Sequence, residues 1–299
     1  MPPFARLSAL VCALLFASPA VAQDAPQPAD QQDDGQEMVV TGEALEQQVR
    51  DFVTALTPAP VRGQIARFER RVCPAAFGVP ESQGAAIAAR MRRVAEAAGL
   101  DVAGEGCVPN SVVVVTDDKR AFMQALRQRS LGYFVGLPES RIRQLLATQG
   151  PAVAWQTPGH PLNADGVEVN MMSTEDNATN RTMRPGGRIS APTRVQFGNA
   201  IVIVERRALD GLSTTQLADY AAMRTFASAD PARLQQPAPD TILTALEAPM
   251  GTAVPLTLTS WDLSFLRGLY ASQGDLYAPS QRGEIGDRMR RQIERPEEG

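Results

Sequence analysis

The sequence predicts an α+β fold: a mixed or largely parallel central sheet of about four to five strands, flanking helices and a C-terminal helical cluster. Three observations carry this expectation. Val112 to Val115 is a run of four β-branched residues, the pattern of a strand buried on both faces. Helical stripes lie before and after it, so strands and helices alternate as right-handed crossovers require. Two capping boxes, at Ser213 and Thr259, open helices in the last third of the chain. With 299 residues the chain is long enough for one full core or two small ones. At 44% hydrophobic and 21% charged residues it is too apolar for a disordered chain and too interrupted by charge for a membrane bundle.

Residues 1–22 read as a signal peptide. Arg6 is the only charge among them, Leu7 to Phe16 form an apolar run, and Ala20-Val21-Ala22 is an A-x-A cleavage signature. The run is too short to span a bilayer. Cys12 does not make a lipid anchor, because Val11 stands where a small residue is needed and the apolar run continues past it. Residues 23–42 form an acidic leader rich in Pro and Gln, with too little to bury to offset its ordering entropy. The expectation is one α+β domain over 43–299, periplasmic or secreted after cleavage near Ala22. Loss of Arg6 leaves 28 basic against 33 acidic groups, a balance that argues against a nucleic-acid partner. No transmembrane helix is expected in the mature chain.

Within that domain, Leu45, Val49, Phe52 and Leu56 make one helical stripe that Pro58 and Pro60 end. Residues 64–72 alternate loosely and read as a strand. A helix over about 82–98 follows Pro80, with Ile87, Met91 and Val94 on its stripe and Gly99 as its stop. After the valine strand, Asp117 or Asp118 caps a helix near 119–129, and another helix near 139–148 closes at Gly150-Pro151. Residues 152–157 and 194–205 read as strands. Between them, 157–193 is a long polar stretch, either hairpins and lid-like loops that carry function or a tolerated surface insertion; Val167, Val169, Met171 and Met172 offer one hairpin arm. Ser213 with Gln216 opens a helix at Thr214 whose buried side runs Leu217, Tyr220, Met223 and Phe226. Thr259 with Asp262 opens the next, and a last helix follows Pro279-Ser280.

Export also decides the cysteines. Cys73 and Cys107 survive cleavage, and an even count in an oxidising compartment implies a disulfide. In the loop-entropy model such a link restricts the unfolded chain by about 3–4 kcal/mol.

Most chemistry is removed by scarcity. One histidine, His160, excludes H-E-x-x-H and paired-histidine metal sites, and no G-x-S-x-G elbow accompanies it for a Ser-His-Asp triad. Flanked by Pro158-Gly159 and Pro161, it is a candidate base set among turn residues. P-loop and G-x-G-x-x-G fingerprints are absent, so no cofactor is expected. The one lysine, Lys119, lacks an S-x-x-K context. Carboxylate pairs need no histidine, which leaves Asp117 and Asp118 at a strand's carboxyl end, Glu205 at another, and Glu175 with Asp176 in the polar stretch. Helix capping is a sufficient role for the first two. The arginine clusters 90–93 and 288–291 read as solvated helix faces.

The signal peptide, V-V-T-G at 39–42, R-x-C-P at 71–74, V-V-V-V-T-D-D at 112–118, L-A-D-Y-A-A-M at 217–223 and L-T-S-W-D-L-S-F-L-R-G-L-Y at 258–270 together resemble a family of exported alphaproteobacterial proteins. That resemblance implies export and no particular activity. The segment 258–270 is also similar to the closing helix of metzincin-type zinc peptidases, with 214–227 standing where their zinc helix would be. It implies a mixed sheet followed by two such helices, but Gln216 to Ala221 supply no histidine, so no zinc ligand carries over.

These readings lead to an exported, non-catalytic binding or interaction protein whose partner is an envelope protein or a small ligand. The alternative is a carboxylate-dependent hydrolase on Asp117, Asp118, Glu175 and Asp176, or a degenerate metzincin-like peptidase without zinc.

Overall fold

The valine strand sits where a doubly buried strand belongs. In the computed structural model, which describes residues 42–163, 165–169, 186–249 and 251–295, it is β2 (Ser111–Thr116) of a four-stranded sheet. The other strands are β1 (Pro74–Phe77), β3 (Ala152–Pro158) and β6 (Phe197–Glu205), in the order β1-β2-β6-β3. β1 and β6 run parallel to β2, and β3 lies antiparallel on the outer side of β6. Two short strands, β4 (Leu162–Asn163) and β5 (Thr193–Arg194), pair separately. The fold is therefore α+β with a mixed, mostly parallel sheet. All described residues belong to one compact unit, Val40–Gly299. The signal peptide and the leader lie outside the described residues, except Gly42, which is already in the first helix.

Strand periodicity divides the core in two. Val113, Val115, Ala200, Val202 and Val204 face the larger cluster, while Val112, Val114, Ile201, Ile203, Val153 and Trp155 face the smaller. The larger side is covered by α1 (Gly42–Leu56), α2 (Glu81–Ala97), α5 (Thr214–Phe226), α6 (Ser260–Ala271) and α7 (Ala278–Glu294). The smaller is covered by α3 (Lys119–Arg129), a 3-10 turn at Leu131–Phe134 and α4 (Glu139–Leu146). Both expected capping boxes are present, with Ser213 and Gln216 bonded reciprocally at α5, and Thr259 and Asp262 at α6. Cys73 and Cys107 form the expected disulfide, Cα–Cα 6.1 Å, tying the entry of β1 to the loop before β2.

Two expectations need correction. Residues 64–72 are not a strand of the sheet; they make only isolated bridges, Arg67 with Gln196 and Val72 with Val102. Their backbone is met by side chains of the C-terminal helices instead. Ile65 N donates to Gln281 Oε1 at 2.9 Å, and Phe68 N to the Tyr270 hydroxyl at 3.3 Å. The Arg67 guanidinium in turn donates to the Leu269 and Ser272 carbonyls at the end of α6. The place in the sheet goes to Pro74–Phe77, whose Pro-Ala-Ala-Phe composition carries little strand signal. The second correction concerns Arg90, which is not on a solvated face. Its Nε and Nη2 donate to the two carboxylate oxygens of Asp219 on α5, at 2.7 and 3.0 Å.

That pair holds the centre of the molecule. α5 is buried on all sides from Gln216 to Phe226, wedged between the sheet, α2 and α6. Asp219 is fully buried and also accepts from Thr257 Oγ1 and Leu258 N, both at 2.7 Å. Removing one partner of a buried, hydrogen-bonded ion pair costs about 3–5 kcal/mol. Urea unfolding of Arg90→Ala is expected to show a loss of that order, with a smaller additional loss when Asp219→Asn is added. Replacing both Cys73 and Cys107 by alanine is expected to lower stability by about 3–4 kcal/mol, read in the same assay without reductant.

Candidate functional site

The two ends of the sheet differ in chemistry. At the carboxyl end of the parallel strands, Thr116 of β2 and Glu205 of β6 are register partners, so the residues that follow them converge. Gly78, at the end of β1, has φ +80°, and a Cβ there would lie 1.9 Å from the Val115 carbonyl oxygen, so only glycine lets the strand turn so closely. Beside it Arg206 donates to the Gly78 carbonyl and to Asp117 Oδ1, each at 2.9 Å. Asp117 is otherwise in solvent, with its side chain 86% exposed. Asp118, not Asp117, is the α3 N-cap, its Oδ1 accepting from Ala121 N at 2.9 Å.

Glu205 is buried and doubly paired, 2.7 Å from Arg207 Nη2 and 3.7 Å from Lys119 Nζ. Burial pushes its carboxyl up, but the Arg207 hydrogen bond and the Lys119 and Arg207 charges outweigh burial and hold it below its ordinary 4.5. Each acid here already has a cation or a backbone N–H as its partner. Glu175 and Asp176 lie outside the described residues. His160 is exposed just beyond β3, its carbonyl oxygen accepting from Gln196 Nε2 at 2.7 Å. Among the described residues no group of three or more His, Cys, Asp or Glu is placed to hold a metal ion.

At the opposite end of β6, roughly 26 Å away at 3.3 Å per strand residue, lies a cavity of about 560 Å3. The end of β3, the start of β6, the end of α5 and the loop after it wall it in. Its size falls within the range of small-molecule pockets. The walls mix apolar residues such as Leu137, Val195 and Phe197 with Gln156, Gln196 and Arg224. Gln156 is fixed by donating Nε2 to the Arg224 and Ala227 carbonyls, at 2.8 and 3.0 Å. Arg141 and Arg233 stand exposed on the wall, against the single acid Asp230.

Gln196 and Arg224 are the unusual members. Gln196 is 2% exposed, and its bond to the His160 carbonyl fixes which way the amide faces, leaving Oε1 with no donor. Arg224 is 6% exposed; its Nη1 donates to the Tyr220 hydroxyl at 2.6 Å, and its Nε has no partner. Among the described residues only three buried side-chain atoms lack a hydrogen-bond partner, and these are two of them. Native interiors satisfy nearly all such atoms, so two orphans on one wall call for an explanation.

The cavity escapes sequence reasoning because its residues are far apart in the chain. One local signal was available: Arg224 is the one cation of a helix buried from Gln216 to Phe226, four residues after Tyr220. No family model, no curated protein sequence and no solved structure matches the chain.

The lowered carboxyl of Glu205 makes a pH prediction. Its folded value lies below the unfolded one, so acidification protonates the unfolded chain first and its contribution is lost as pH falls below 4.5. Glu205→Gln is expected to be less stable than wild type at neutral pH, where Lys119 has lost its counter-charge. The gap should close on acidification, as measured by urea midpoints across an acid series.

Proposed function

We propose that this chain is an exported, non-catalytic binding protein that takes a small ligand into the cavity between the end of β3 and the start of β6. One observation carries the reading: two buried polar atoms without protein partners, Gln196 Oε1 and Arg224 Nε, both belong to residues that line that cavity. A ligand bearing complementary groups would satisfy them. Export is supported by the signal-peptide pattern at 1–22 and by the Cys73–Cys107 disulfide, which suits an oxidising compartment. No helix of the described residues is long and apolar enough to cross a membrane. Asp118 caps α3, and Asp117 and Glu205 pair with arginines, an arrangement that supports binding over hydrolysis.

Ser228 lines the cavity and is half-buried, so Ser228→Phe fills it from one wall. Native mass spectrometry of protein prepared from the envelope is expected to show a small molecule on wild type and none on Ser228→Phe. An unchanged adduct on the variant overturns the cavity, and turnover of an ester, peptide, glycoside or phosphate substrate that one substitution abolishes overturns the non-catalytic reading. The export part predicts a mature N-terminus at Gln23, read by N-terminal sequencing.

A further inference from the structure

We propose that the ligand of this cavity is a small organic carboxylate that also carries a hydrogen-bond donor, gripped side-on by the Nε–Nη2 edge of Arg224. The proposal rests on the cavity being the binding site and adds the chemistry of what fills it.

Arg224 lies in the last turn of α5 with its guanidinium 5.5 Å from the Tyr220 ring centroid. Nη1 is committed to the Tyr220 hydroxyl, so the free edge is the one formed by Nε and Nη2, neither of which bonds to any described residue. That edge presents two parallel N–H groups at the spacing of two carboxylate oxygens, the bidentate geometry for which arginine is suited. A buried charge with no counterion is costly, and an anion from outside removes that cost. No described carboxylate forms an ion pair with Arg224. Asp230 and Glu247 are close enough to act through space on the neighbouring Tyr220 hydroxyl, but Asp230 accepts from Ala232 N at 3.2 Å.

Three further features narrow the class. Gln196 Oε1 is an acceptor and asks for a hydroxyl, amine or amide N–H on the ligand. Arg141 and Arg233 against Asp230 give the cavity a positive excess that draws anions in. Leu137, Val195, Phe197 and Pro58 supply apolar wall, and about 560 Å3 is far more than an inorganic ion fills, which leaves room for an organic body. Phosphate is disfavoured, because the buried Arg224 edge offers two donors to its four oxygens while Arg141 and Arg233 stand exposed on the wall.

Titration calorimetry of the purified chain with mandelate, phenylacetate, mandelamide and inorganic phosphate tests this. Mandelate has the carboxylate, the donor and an apolar body; phenylacetate lacks the donor; mandelamide lacks the charge. Saturable binding of mandelate is expected, weaker by about tenfold to hundredfold for mandelamide and by several-fold for phenylacetate. Arg224→Gln should lose mandelate binding, and Arg224→Lys, which keeps the charge without the fork, should lose most of it. Should either variant fail to fold, the Arg224 Nε–H resonance of wild type provides the readout, with a shift expected on adding mandelate and none on adding mandelamide. Mandelamide or phosphate binding as tightly as mandelate overturns the proposal, as does an unmoved Arg224 resonance or no mandelate binding at all. If wild type in those cases carries a native small molecule that Ser228→Phe lacks, the cavity reading stands and only the carboxylate is refuted; if the variant carries it unchanged, both fall.

Discussion

The fold depends on a helix that has no solvent face. α5 fills the space between the sheet and the helical layer, and from Gln216 to Phe226 every residue is buried. A helix so placed is stable only if its polar side chains find partners inside the protein. Asp219 does so completely, with two bonds from Arg90 and two from the 257–258 segment. These contacts hold α2 and the approach to α6 against α5. Arg224, one turn further on, finds only Tyr220. The same helix thus contains a fully satisfied charge and one left partly unsatisfied, and the second belongs to a residue that lines the cavity.

The sheet explains why the cavity is where it is. Three strands run parallel, and β3 reverses direction on the outer side of β6, so its end meets the start of β6. Open α/β sheets usually place their sites at the carboxyl ends of the strands. Here that end is occupied by intramolecular pairs, Arg206 with Asp117 and Glu205 with Arg207 and Lys119. Free polar capacity is concentrated at the other end, where one strand finishes beside the start of its antiparallel neighbour.

Side chains replace backbone pairing along much of the C-terminal half. Gln281 and Tyr270 meet the backbone of 65–68, Arg282 donates to the Thr57 and Ala59 carbonyls, and Asp262 accepts from Thr241, Ile242 and Thr259. Burial pushes the Asp262 carboxyl above its ordinary value even though all these bonds favour its charged form. The strap at 64–72 therefore looks like a strand in sequence and behaves as a tether in space. Alternation records which residues face inward, but it says nothing about whether a strand or a side chain answers the backbone.

Local signals were legible wherever the physics is local. Both capping boxes, the Gly99 stop, the doubly buried valine strand and the Cys73–Cys107 link follow from residue types at short spacings or from a count. The site followed a different rule. Arg90 meets Asp219 across 129 positions, and the cavity gathers residues from Pro58 to Arg233. Whether a buried charge is neutralised or left waiting depends on which distant groups the topology delivers to it, and only the folded chain decides that. Hydrogen bonds and ion pairs act over a few ångströms in space, and sequence separation does not measure that distance.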